Sequence, residues 1–268
     1  VKNLTTPPSA SGKVKPKKAL GQHFLTDLSV AQRIADTLDT HSSLPAIEVG
    51  PGMGVLTQYL LEKGIDLTVV ELDSESVEYL RTNFPALTPQ RIVEADFLRL
   101  NLAELMQGRE FCLIGNYPYN ISSQIFFHML EFKELIPCCS GMLQREVAER
   151  LAAAPGTKAR GILSVLLQAW YDVQYLFTVS EGVFNPPPKV KSGVIKLVRN
   201  SRTSLGCDEA LFKSVVKTTF GQRRKTIRNS IRAICPDFPT EHPLAGRRPE
   251  QLTVEEFIDL TLAVTPAK

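Results

Sequence analysis

Apolar and polar positions follow two rhythms along the chain. Short apolar runs predict strands over 44–49, 66–71, 91–95 and 111–115. Between them, apolar residues at helical spacing predict helices over 55–63, 74–83, 101–107 and 121–132, after an earlier one over 28–39. Repeated strand and helix units with short links imply an α/β fold, with a parallel sheet covered by helices on both faces. Such sheets bind ligands beyond the carboxyl ends of their strands. Residues 141–170 read as largely helical, and 172–179 and 190–198 as strands on either side of the turn F-N-P-P-P-K. From 200 onward strand signals stop, and 208–234 and 250–264 read as helices. The expected organisation is a Rossmann-like domain over 1–199 behind a flexible basic leader, then a small all-helical domain over 200–268.

Composition narrows the class. With 43% hydrophobic residues in 268 positions the chain can fill a substantial core. No apolar run approaches the length of a membrane span, and the basic N-terminus lacks the apolar stretch of a signal peptide, so a cytoplasmic location is expected. The five cysteines are odd in number and without C-x-x-C spacing, and the four histidines are scattered. Neither a disulfide framework nor a protein-held metal is expected. The net charge of +3 conceals a division. The first 26 residues carry five lysines and no acid, and 211–235 carry Lys213, Lys217, Arg223, Arg224, Lys225, Arg228 and Arg232 and no acid. Two basic segments on an acidic body suit either a polyanionic partner or solvated surfaces.

Candidate chemistry collects at strand ends. The first strand runs into E-V-G-P-G-M-G, where Gly50, Gly52 and Gly54 would let backbone approach a ligand. The second strand ends in Glu71, 21 residues beyond Gly50, where a carboxylate can accept from two ribose hydroxyls. The third ends in Asp96 and Phe97. Tight turns with surface acids are the bland alternative. A dinucleotide enzyme would carry G-x-G-x-x-G; here the spacing is G-x-G-x-G, and Glu48 beside the loop would repel a diphosphate but suit the ammonium and sulfonium of S-adenosylmethionine. Glu71 would then hold the ribose, Asp96 the adenine amino group, and Phe97 its ring.

The fourth strand ends in N-Y-P-Y-N. Alone, this reads as a strand-ending turn; on the same rim it can grip an aminopurine. A base would stack on Tyr119, with the Asn116 side-chain oxygen and the Tyr117 carbonyl accepting from its amine and Pro118 stiffening the backbone. Phe184 would cover the other face.

These stretches resemble the KsgA-type ribosomal RNA adenine dimethyltransferases. The match runs through K-K-A-L-G-Q-H-F-L (17–25), E-V-G-P-G-M-G-V-L-T (48–57), V-V-E-L-D (69–73), A-D-F (95–97), G-N-Y-P-Y-N-I-S (115–122), L-Q-R-E-V-A-E-R-L (143–151), G-I-L-S-V (161–165), V-F-N-P-P-P-K-V (183–190) and F-G-Q-R-R-K-T-I-R-N-S (220–230). The resemblance implies methyl transfer from S-adenosylmethionine, leaving S-adenosylhomocysteine, to N6 of two adjacent adenosines in small-subunit ribosomal RNA. It implies donor contacts at His23, Leu25, Gly50, Glu71, Asp96 and Asn116. It places rRNA phosphates near Arg223, Arg224, Lys225 and Arg228, and makes the partner an assembling small ribosomal subunit, met by a monomer. Two positions depart from the family pattern: Tyr117 replaces an aliphatic residue, which bears on pocket width, and His23 replaces a frequent asparagine. The extended G-Q-R-R-K-T-I-R-N segment favours the small-subunit type over the Erm-type methylases of large-subunit RNA. An assembly factor with little turnover is the remaining rival.

Overall fold

The computed structural model describes Val14, Pro16, Lys17 and residues 22–264. Most of the basic leader, and 18–21 of the K-K-A-L-G-Q-H-F-L stretch, lie outside them. The described residues fall into two compact units, one within Val1–Arg145 and Leu176–Lys196, the other within Glu146–Tyr175 and Leu197–Lys268.

In chain order the first unit holds β1 (Phe24–Leu25), α1 (Leu28–Asp36), β2 (Ala46–Val49), α2 (Thr57–Glu62), β3 (Leu67–Glu71), α3 (Ser74–Asn83), β4 (Ile92–Glu94), α4 (Leu102–Leu105), β5 (Cys112–Asn116), α5 (Ser122–Glu131) and β6 (Cys138–Gln144). Helices α6 (Arg145–Leu151) and α7 (Ile162–Gln168) follow. Next come β7 (Tyr171–Val179), β8 (Phe184–Asn185) and β9 (Ser192–Arg199). Helices α8 (Glu209–Gly221), α9 (Ile227–Ser230) and α10 (Val254–Val264) end the chain.

Seven strands form one sheet in the order β4-β3-β2-β5-β6-β9-β7. Pairing is parallel for β3 with β4, β2 with β3, β2 with β5 and β5 with β6. Strand β2 is the reversal point: the chain builds outward from it on one side through β3 and β4, then returns to its other side as β5. A doubly wound, Rossmann-like sheet of this kind opens a crevice at that reversal. Strands β2 and β3 are buried throughout, which explains their unbroken apolar runs. Local chemistry sets the helix starts. Asp27 caps α1 by accepting from the N–H groups of Ser29 and Val30, and the helix buries Val30, Ala31, Ile34 and Ala35 against the sheet core.

Two sequence expectations change. Residues 141–170 are not mainly helical: 138–144 form β6, and a loop separates α6 from α7. C-C-S-G-M-L-Q has no β-branched residue, and what makes it a strand is its ladder with β5, in which Gly115 faces Gly141. The second unit also takes in 146–175 besides the C-terminal segment, whereas the sequence reading divides the chain at 199/200. Within that unit α7 and α10 both pack on α8, which buries Phe212, Val215, Val216 and Thr219. Among the described residues no helix is long and apolar enough to cross a membrane.

Candidate active site

The carboxyl ends of β2 to β5 and the segment around β1 line one cavity. Gly50 and Gly52 lie on its wall with φ of +66° and +55°, backbone that disfavours any side chain. A Cβ on Gly52 would come within 2.9 Å of the Phe24 ring. Gly54 departs from expectation. Its φ is +76°, but a Cβ there would overlap the Phe84 ring, and it is absent from the cavity wall. It serves packing beneath the loop.

Glu71 is 6% exposed and lines the cavity. Its Oε1 accepts from the N–H groups of Leu72 and Asp73, each at 2.9 Å, and its Oε2 from the N–H of Gly52 at 3.0 Å. A carboxylate has about four acceptor positions, so one remains for a ligand rather than the two foreseen. Burial pushes its pKa up, opposed by these three bonds. Glu48 differs more from expectation. It is 2% exposed, accepts from the Thr57 hydroxyl at 2.7 Å, and burial raises its pKa to about 8, with Glu71 adding to the rise. At neutral pH without a ligand Glu48 is mostly a neutral acid, not the anion inferred from its place beside the loop. Asp96 lines the cavity and accepts from the Leu98 N–H at 3.0 Å. Phe97 is buried, its ring edge-on to His128 at 5.5 Å.

At the end of β5, Asn116 donates its amide N–H to the His23 carbonyl at 3.2 Å, which leaves Oδ1 as the acceptor. The Tyr117 side chain does not narrow the cavity. It is 1% exposed, its hydroxyl donates to the Ser140 carbonyl at 2.8 Å, and its ring lies against Gly115 and Gly141. A Cβ on Gly141 would meet both the Gly115 carbonyl and that ring, so the glycine pair makes room for the phenol. Tyr117 therefore offers the cavity its backbone. Pro118 and Tyr119 line it, and the Tyr119 hydroxyl bonds the Ser192 hydroxyl at 2.5 Å. The His23 imidazole lies against the Tyr119 ring, with centroids 5.5 Å apart and planes 29° apart, while its Nδ1 donates to the Pro186 carbonyl at 2.8 Å.

Phe184 is not part of this constellation. It pairs with Leu25 in the two-stranded antiparallel ladder of β1 and β8 and is buried in the core with Leu25, Val30 and Val179. Leu25 lies in that core and also reaches the cavity. Phe24, unassigned in the sequence reading, is the aromatic residue of that ladder that lines the cavity. Leu72 was also missed: it lines the cavity and is 55% exposed. A large apolar side chain between Glu71 and Asp73 was the available signal. Among the described residues no group of three or more His, Cys, Asp or Glu side chains is placed to hold a metal ion.

In the second unit Arg224, Lys225 and Arg228 are exposed. Arg223 is already engaged: it donates to the Lys158 carbonyl at 2.6 Å, and its Nε lies 3.7 Å from the Glu250 carboxylate. It differs from its three neighbours in fastening loop 152–161.

Known proteins resemble this chain over nearly its whole length. The family described as ribosomal RNA adenine dimethylase matches residues 13–260. The ribosomal RNA small subunit methyltransferase A of Parabacteroides distasonis is 69% identical over 93% of this chain and 94% of its own, and that of Phocaeicola vulgatus 64% identical over 96% and 92%. Among solved structures, a dimethyladenosine transferase from Plasmodium falciparum superposes with a TM-score of 0.71 at 22% identity, covering 90% of this chain and 96% of that one. The 23S rRNA methyltransferase ErmE gives 0.69 at 25% identity, covering 90% and 99%. The two structures share the fold, the relatives share most of the sequence, and the family match spans both units: the chain belongs to the ribosomal RNA adenine dimethylase family.

Proposed function

We propose that the protein transfers methyl groups from S-adenosylmethionine to N6 of two adjacent adenosines, two on each, in a hairpin near the 3′ end of small-subunit (16S) ribosomal RNA. It does so in the cytoplasm, as a monomer, on an assembling small subunit. The observation that carries this reading is one cavity uniting a glycine loop, two acids from successive strand ends and an Asn116 whose amide oxygen is left to accept.

The residues present fit the donor. Gly50 and Gly52 keep the loop free of side chains, Glu71 retains one acceptor position for a ribose hydroxyl, and Asp96 can accept from an adenine amine. Leu72 and Phe97 supply apolar surface near these acids. When bound, the donor supplies an electrophilic methyl group on a sulfonium. Glu48, neutral when the cavity is empty, becomes a useful anion if a cation enters beside it.

On the acceptor side, Asn116 Oδ1 and the Tyr117 carbonyl receive the two N–H groups of the adenine amine. As the nitrogen bonds the methyl carbon and the S–CH3 bond breaks, the amine gains positive charge, which the fixed carbonyl dipoles stabilise without reorganising, and it then releases one proton to solvent. Holding both partners in line supplies much of the remaining rate. Tyr119, anchored through Ser192, is the stacking platform; the near-parallel His23 ring against it supports the idea that its face receives a planar group. No side-chain nucleophile is needed.

The test is incubation with labelled S-adenosylmethionine and separately purified, undermethylated small and large subunits, followed by nucleoside analysis. N6,N6-dimethyladenosine confined to small-subunit RNA is expected. Label confined to large-subunit RNA would transfer the protein to the ErmE-like class, and no label in either would turn attention to an assembly role.

A further inference from the structure

A second cavity lies wholly within the second unit, walled by the 152–155 segment, α7, the start of β7, residues 200–202 and the start of α10. Its chemistry is unbalanced. Arg160 lines it with 0% exposure, yet its hydrogen-bond partners are neutral: Nη1 donates to the Ala153 carbonyl at 2.8 Å and to Gln168 Oε1 at 2.6 Å. Among the described residues no carboxylate lies within ion-pair distance of it, and its Nε–H has no partner. Burial lowers its pKa only to about 10, so the guanidinium stays charged at neutral pH. Arg202 lines the same cavity. Its Nη2 donates to Glu255 at 2.7 Å, but its Nε–H is buried and unpartnered as well. Two buried donors without acceptors, in side chains that line one cavity, and a guanidinium that Glu255 opposes through space but does not pair, call for an occupant rich in acceptor oxygens.

The opposing charges are Glu255, already paired with Arg202, and Asp172, exposed on the wall. With one guanidinium neutralised and an acid at the rim, the site suits a singly charged oxyanion better than a dianion. The wall segment also belongs to the loop fastened to the basic segment through the Arg223 bond to the Lys158 carbonyl, and to the turn before α10 through the Gly156 N–H bond to the Glu250 carbonyl at 2.7 Å. Exposed Arg224 and Lys225 follow Arg223 directly.

We propose that this cavity is a phosphate subsite that takes one phosphodiester of the RNA backbone, with Arg202 meeting its oxygens and Arg160 supplying the charge beneath. The RNA occupant rests on the methylation reading above; the oxyanion chemistry does not.

The full chain tests both. In thermal unfolding, inorganic phosphate is compared with chloride at equal pH and ionic strength. Wild type should gain about 2 °C or more, Arg202→Gln should gain nothing while still unfolding cooperatively, and Asp172→Asn should gain more than wild type. In salt titrations of binding to a ribosomal RNA hairpin, Arg202→Gln should flatten the log–log slope by about 0.7–0.9. No phosphate shift in wild type, or an undiminished shift in Arg202→Gln, overturns the subsite and leaves water on the two donors. A phosphate shift lost in Arg202→Gln with an unchanged RNA slope overturns the RNA occupant and makes the ligand free phosphate. Because the phosphate arm reads without methyl transfer, a failure of the methylation reading is seen separately, in the subunit-labelling assay.

Discussion

The cavity rim of the first unit and the basic segment of the second use charge in opposite ways. At the rim, acids are buried and bound: Glu71 holds three backbone N–H groups and Glu48 a hydroxyl. On the basic segment, Arg224, Lys225 and Arg228 are exposed cations. A buried, pre-oriented group can contribute heavily to one step and cannot be replaced by a neighbour. An exposed cation contributes little alone, and its neighbours share its work. Substitutions at the rim should therefore act steeply and on catalysis, and those on the basic segment shallowly and on binding.

The largest effect expected is for Asn116→Ala. It removes the amide oxygen that is free to accept from the amine, and loss of one such fixed group lowers turnover by about 10²–10³-fold. RNA binding should stay within about twofold, since no cation is lost. Single-turnover methylation beside filter binding separates the two, and a matching loss of binding would break the contrast. Next is Gly141→Ala, which acts through the framework alone. At φ +153° its new Cβ would run into the Gly115 carbonyl and the Tyr117 ring, and a loss of about 2–3 kcal/mol is expected in urea unfolding. An unchanged midpoint would mean that β5 and β6 can separate locally without strain.

Much of the rim was legible because its signals are local. Apolar runs end at Val49, Val70 and Gly115, and the next residues are Gly50, Glu71 and Asn116, a glycine, an acid and an amide, so order and spacing alone set them on one edge. What escaped reading depends on partners distant in sequence. Phe184 is turned into the core by its ladder with Leu25, some 160 residues away. β6 is a strand because β5 lies beside it, although its residues carry little strand preference. The neutrality of Glu48 follows from burial, which a sequence window does not show, and the engagement of Arg223 from a carbonyl in another loop.

The pH dependence of stability sharpens the view of the rim. Glu48 has its pKa raised from 4.5 to about 8. Between those values the folded protein holds a proton that the unfolded chain has released, so stability falls as pH rises through that window and levels off above it. Glu71, also raised, adds to the same slope. Urea midpoints measured at pH 5 and 8 should decline in wild type and decline less in Glu48→Gln; identical declines would mean that Glu48 is ionised in the empty cavity. Smaller still is Tyr117→Phe. It deletes the bond to the Ser140 carbonyl, for a loss of about 1 kcal/mol. Methylation should be unaffected, because the phenol faces the core. A changed KM for RNA would place the side chain back in the pocket.

The smallest effects belong to the basic segment, and they test the contrast from its other side. Arg224→Gln removes one exposed cation, so if it meets a phosphate the log–log salt slope of RNA binding should flatten by about 0.7–0.9. Between 50 and 200 mM salt that amounts to only about a threefold difference in affinity change. Lys225→Gln should do the same, and the two losses should add, as expected for cations that act independently on a charged backbone. Arg223→Gln should behave otherwise. Its guanidinium is committed to the Lys158 carbonyl and faces Glu250, so the substitution should loosen the 152–161 loop, seen as faster amide exchange there. A salt slope flattened as much by Arg223→Gln as by Arg224→Gln would mean that Arg223 leaves those partners for RNA, and that the basic segment, unlike the pre-oriented rim, rearranges around its ligand.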